Sequence, residues 1–130
     1  MSDMMFREPN QVKWQGSRPG HNGTQVALHY GTAVAGEVLF YTVPAGVTFF
    51  LTYASMGLAD DVAGVIMMSI EDLTPARWFT PIYAYTSIAN NLIIPPSNFW
   101  PPLEVPTGFT FYSFTVGASF RVSNIHGWVE

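Results

Sequence analysis

Side chains able to do acid–base, metal or nucleophilic chemistry are sparse in these 130 residues. His21, His29 and His126 are the only imidazoles, and no His-x-His pair or carboxylate cluster accompanies them. A metal on a β-scaffold needs several His and carboxylate ligands converging from neighbouring strands, and only Glu37, near His29, is placed to join one. The spacing predicts no metal site and no cofactor, with His29 a paired strand histidine and His126 a turn residue beside Gly127. Asp60-Asp61 and Glu71-Asp72 are neighbouring carboxylates. Adjacent residues on a strand point to opposite faces, so neither pair supplies the two facing carboxyls that sugar hydrolysis uses. The stretch Leu-Ala-Asp-Asp-Val-Ala-Gly also lacks the alternating oxygen ligands of a calcium loop. Both pairs read as solvated turns. There is no cysteine, no Gly-x-Ser-x-Gly elbow, no phosphate-binding glycine loop and no dinucleotide fingerprint, so no catalytic residue is expected. Only a site assembled from distant residues, such as Glu104 with His126, would escape a linear pattern.

The elements that would carry any site are strands. From Gln25 onward, short runs rich in Val, Ile, Thr, Phe and Tyr end at Gly, Pro, Asn or Asp, which is the signature of β-structure. The runs are Gln25–Tyr30, Glu37–Val43, Thr48–Met56, Val65–Ile70, Trp78–Tyr83, Asn91–Ile94, Thr110–Phe114 and Ala118–Val122, with Ile125–Val129 closing the chain. Eight or nine strands in one domain predict an all-β antiparallel sandwich. Gly, Pro and β-branched residues disfavour helix everywhere except a turn near Ile70–Leu73. Val38, Phe40 and Thr42 alternate with Leu39, Tyr41 and Val43, so this strand is apolar on both faces and should be central or covered by a partner.

Residues Met1–Thr24 differ from the rest. Two prolines, three glycines and scattered polar residues show no period, predicting an extended N-terminal arm over 1–24 ahead of a domain over 25–130. A solvated tail is the other reading, and Phe6, Val12 and Trp14 argue for an arm that docks on its own body or on a neighbour. The absence of an uninterrupted apolar stretch here predicts an unprocessed start.

Composition narrows the partners. The chain is 48% apolar and only 11% charged, against about a quarter charged in ordinary soluble domains, which predicts a surface covered by another molecule. No run reaches the roughly 18 apolar residues of a membrane helix, so no membrane partner is expected. The first 24 residues carry +1 and the remainder −5, giving the net −4, and a body with only Arg77 and Arg121 for cations cannot line a phosphate backbone. Nucleic acid is not expected as a partner either.

Two local patterns stand out. Val43-Pro44-Ala45-Gly46-Val47-Thr48-Phe49-Phe50 and Val105-Pro106-Thr107-Gly108-Phe109-Thr110-Phe111-Tyr112 agree at five of eight positions at an offset of 62. Pro44 and Pro106 preset φ for a turn and Gly46 and Gly108 accept positive φ. The copies read either as equivalent corners in two halves of a sandwich or as unrelated turns using the same favourable residues. The second pattern is Pro95-Pro96-Ser97-Asn98-Phe99-Trp100-Pro101-Pro102, read as a stiffened loop in which Phe99 and Trp100 either insert into a partner or fold over the domain's own core.

The segments "FYTVPAGVTFFLTYASM", "IIPPSNFWPPLEVPTGFTFY" and "FRVSNIHGWVE", spread over residues 36 to 130, resemble small jelly-roll virion proteins of tailed bacteriophages. The resemblance implies a jelly-roll-like sandwich of about eight strands and a non-enzymatic capsid decoration or tail accessory role. It further implies a homotrimer bound to the major capsid or another virion protein, and residence in the virion after assembly in the host cytoplasm. Phe6, Trp14, Phe99 and Trp100 are the expected interface residues. Two rivals stand beside it: a tail or fibre domain binding a host glycan, with Trp78, Tyr83 and Tyr85 as a stacking platform, and a small β-sandwich enzyme.

Overall fold

A computed structural model describes residues 23–58, 64–86, 94–117 and 120–130. They form eight strands: β1 (Thr24–Thr32), β2 (Gly36–Thr42), β3 (Phe49–Leu58), β4 (Gly64–Glu71), β5 (Arg77–Thr86), β6 (Ser97–Val105), β7 (Thr110–Thr115) and β8 (Arg121–Val129). All pairings are antiparallel, in two four-stranded sheets ordered β1-β8-β3-β6 and β2-β7-β4-β5. Paired strands nest around the β4–β5 connection: β4 with β5, β3 with β6, β2 with β7 and β1 with β8. A chain folded back on itself in this way and rolled into two layers is a jelly roll.

Alternation of side chains explains why the layers close. On β8, Arg121, Ser123, Ile125 and Gly127 face inward while Val122, Asn124 and His126 face out. The core is aliphatic at its middle, with Leu51, Ile66, Met68, Ile70 and Ile125. Towards the β2–β3 turn it becomes aromatic: Phe49 and Phe111 meet edge to face at 5.7 Å, and Tyr41 meets each at 5.4 and 5.8 Å. Such geometries add attraction beyond buried area.

Several expectations are corrected. The strand over Glu37–Val43 is not central; β2 is an edge strand. A bulge between Leu39 and Tyr41 turns both Phe40 and Tyr41 against the core and leaves Leu39 outside, which is why the strand reads as apolar on two faces. The helical turn near Ile70–Leu73 is absent, because β4 runs through Glu71 and Asp72 then builds the turn. Its Oδ1 accepts from Thr74 N–H at 2.9 Å, the Thr74 hydroxyl at 2.6 Å and Ala76 N–H at 3.0 Å, and these bonds hold the carboxyl below its usual range.

Pro95–Pro102 is not a loop throughout, since β6 begins at Ser97 and carries Pro101 and Pro102 on a sheet edge, where a missing donor is tolerated. Arg121 and Val122 of the penultimate run continue without a break into Ile125–Val129 as one strand, β8, whereas residues 118–119 lie outside the described residues. Of the expected strand at Asn91–Ile94, only Ile94 is described, and it precedes β6 outside any strand. Asp60-Asp61 and residues 1–22 of the expected arm, with Phe6, Trp14 and His21, lie outside the described residues, while Thr24, its expected last residue, opens β1. Among those described, no helix is long and apolar enough to cross a membrane.

Candidate functional site

The two similar turns meet at one end of the sandwich. Residues 43–48 carry the chain from the second sheet to the first, and 106–109 carry it back in the opposite direction. Val43 N–H donates to the Phe109 carbonyl at 2.9 Å and Gly108 N–H donates to the Val43 carbonyl at 3.0 Å. Thr107 supplies what Ala45 lacks at the matching position. Its hydroxyl accepts from Val47 N–H at 3.1 Å and lies between the carbonyls of Pro44 and Val47, so one turn is fastened to the other by a side chain. Gly46 and Gly108 take φ of 81° and 84°, the left-handed region that glycine enters without steric cost. Leu73, from the Asp72 turn, closes over Gly108, where a Cβ would lie 2.6 Å from its Cδ2.

An aromatic ridge runs from this end along the seam between the edge strands β5 and β6. Trp78 sits edge-on to Phe109 at 5.0 Å and to Phe79 at 6.4 Å, and Phe79 meets Phe99 at 5.9 Å. The Ser97 hydroxyl ties the two strands by donating to the Pro81 carbonyl at 2.5 Å. Phe99 packs against the core, whereas Trp100 is 71% exposed. The two aromatics of the proline-flanked segment thus take different roles, one folded over the domain and one presented to solvent. Leu73, Trp78 and Phe79 are also exposed. Tyr83 stands apart on the outer face of the second sheet, paired across from Met67.

The two described histidines lie together on the outer face of the first sheet. His29 on β1 and His126 on β8 have ring centres 5.6 Å apart, and His126 stacks on Tyr53 at 5.1 Å. Asn124 donates to Ser55 Oγ at 3.0 Å, which leaves its Oδ1 to accept from His29 Nδ1 and fixes the proton on that nitrogen. His126 is therefore a strand residue and not part of a turn. His29 and Glu37 belong to opposite sheets and cannot share a ligand, and Glu104 is separated from His126 by the intervening β3. Among the described residues, no group of three or more His, Asp or Glu side chains gathers around one point.

Burial first, and the neighbouring His29 second, push the His126 pKa below its ordinary 6.5, and its Nε2 is enclosed without a hydrogen-bond partner. The folded state thus prefers the neutral ring. Above the ordinary value this costs nothing, and as pH falls through it the unfolded chain takes up the proton first, so stability declines. Thermal melts between about pH 7.5 and pH 5 are expected to show a falling midpoint in the native chain and a flatter profile in His126→Phe.

No protein-family profile, curated protein or solved structure matches the chain. The arrangement itself is one of surface and packing: a cross-fastened corner, an apolar ridge, and a polar stacked cluster on a sheet face. Sequence reading overlooked Arg121 as anything but a charge. The missed signal is β7, where Ser113 and Thr115 alternate with Phe111 on the inward side of an otherwise apolar strand and call for a buried polar partner.

Proposed function

We propose that the chain is a non-enzymatic structural subunit of a tailed-phage virion, a jelly-roll protein that assembles with its own copies and decorates or cements the shell. The observation that carries this reading is the exposure of Leu73, Trp78 and Phe79 along the β5–β6 seam, with Trp100 exposed on β6 beside it, on a sandwich whose inner faces are already filled. Monomeric proteins seldom leave such a strip uncovered, and rigid aromatics on paired strands bind with little loss of rotamer freedom. The partner is the major capsid protein or another virion protein, and the site of action is the particle assembled in the host cytoplasm. Co-sedimentation with shells lacking this subunit tests it. Trp100→Ala should leave the melting curve unchanged and weaken shell binding about 30-fold, the loss expected of an interface hot spot. Undiminished binding by this variant would remove the ridge from the interface.

A second reading, a tail or fibre domain that binds a host glycan, draws on Tyr83, 66% exposed on the second sheet's outer face, and on Trp100. Saturable binding on a glycan array by the native chain would favour it over the shell reading.

A further inference from the structure

Among the described residues the sandwich has four edge strands, and they are not alike. An exposed edge invites pairing with another chain, and proteins blunt it with proline, charge or a bulge. β6 carries Pro101, Pro102 and Glu104 and an irregular register against β3. β5 carries Arg77 and Pro81 and slips register twice against β4. β2 has Glu37 and the bulge between Leu39 and Tyr41. β1 has none of these devices: Thr24–Thr32 contains no charged residue and no proline, and it pairs with β8 through nine consecutive residues without a shift.

We infer that β1 is the edge through which two copies of this chain join, antiparallel and centred on Leu28, fusing their first sheets into one continuous sheet. Self-pairing in that register is complementary. On the outer face His29 of one copy meets Ala27 of the other, and Gln25 meets Gly31, so each long side chain faces a small one. On the inner face Leu28 meets Leu28 and Val26 meets Tyr30, extending the core across the junction. The chain carries a net charge of −4, and β1 is the one edge strand without a formally charged residue, β2, β5 and β6 carrying Glu37, Arg77 and Glu104. Tyr30 stacks on Phe40 at 5.6 Å, holding β2 under β1, and the exposed Val34 and Leu39 widen the apolar contact on this side.

The inference rests on the reading of the chain as a self-assembling subunit. It makes the elementary assembly a two-fold dimer in place of the trimer that the resemblance implies, and it leaves the ridge, on the opposite side of the sandwich, free for the shell.

The native chain lacks cysteine, so a single introduced thiol reports one contact. Residues directly opposite in an antiparallel pair have Cα atoms within disulfide range. In Leu28→Cys, mild oxidation of the folded protein should give a covalent dimer of twice the 14.4 kDa chain, while Tyr83→Cys, on the far edge strand, should stay a single chain. In Ala27→Lys, which places an ammonium opposite His29 at an exposed position, light scattering should show at least about tenfold weaker dimerisation with an unchanged circular dichroism spectrum. No cross-link at position 28, or an Ala27→Lys variant that keeps the parental mass, overturns the inference. If the native chain is nonetheless oligomeric, the assembly reading stands and the contact lies elsewhere. If it is a single chain at every concentration and does not sediment with shells, both fall together.

Discussion

Replacing Arg121 with Met is expected to cost about 4 kcal/mol of folding stability, a fall of roughly 15 °C in melting temperature, although the two side chains are similar in length. Arg121 is fully buried between the sheets. Its Nε donates to Ser113 Oγ at 2.8 Å, one terminal nitrogen to the Val34 carbonyl at 2.7 Å and Thr115 Oγ1 at 2.9 Å, and the other to the Ser113 and Gly36 carbonyls at 3.0 and 3.1 Å. These five bonds join β8 of the first sheet to β7 and the start of β2 in the second, and to Val34 in the β1–β2 connection. Burial lowers the guanidinium's pKa, yet an arginine remains cationic, so every bond is charge-assisted. Met would leave the acceptors without their donor, and breaking a buried polar network costs more than the network's net worth. Urea unfolding should show a lower midpoint with an unchanged slope. Arg121→Lys should recover little, because a single ammonium cannot span acceptors set for a planar fork. A variant within about 1 kcal/mol of the native chain would show that Arg121 contributes no clamp across the layers.

Gly127→Ala is expected to destabilise by about 3 kcal/mol for the addition of a single methyl group. A Cβ at Gly127 would lie 2.0 Å from the Phe50 carbonyl oxygen and 2.9 Å from Phe49 Cε1. The reason is the bulge in β3 between Leu51 and Tyr53, which brings the Phe50 backbone towards β8 and is fastened by the Thr52 hydroxyl donating to the His126 carbonyl at 3.1 Å. A backbone oxygen in a paired strand cannot swing away like a side chain, so β3 or β8 has to shift. That shift would also disturb the stacking of Tyr53 on His126. Chemical denaturation of the variant checks the size of the effect, and a change below about 0.5 kcal/mol would mean that the bulge is mobile enough to absorb it. A swap to Ala at Gly57, where a Cβ meets nothing within 4 Å, is the matched control.

The layer architecture is readable from the residues because its cause is local: β-branched and aromatic runs broken by turn formers make strands, and their number fits one double-layered domain. The proline-rich segment misled because proline removes one donor, which is disabling within a sheet and harmless at its border; the border position of β6 depends on which strands come to lie beside β3. The same dependence hid β2, whose bulge breaks the alternation that assigns faces. Arg121 was illegible for a further reason. The acceptors of those five bonds lie on β7, at the start of β2 and in the β1–β2 connection, brought to it by the roll of the chain, and Ser113 and Thr115 on the buried side of β7 betray the need for a donor. His29 and His126 are 97 positions apart and become neighbours only because the first and eighth strands pair.

That nesting has a bearing on synthesis. β8, the last of the eight described strands to be synthesised, is flanked on both sides within its layer, by β1 and by β3. Until it arrives, neither flanking strand has its neighbour, and Ser113 and Thr115 wait for a guanidinium not yet made. The first sheet therefore stays open until all eight strands are made, and closure of the sandwich is a late event governed by long-distance encounters, the slow regime for β-rich topologies. During that interval the uncharged ribbon of β1 is bare on both flanks, so crowding of unfinished chains on one messenger would favour tangles that a finished molecule avoids.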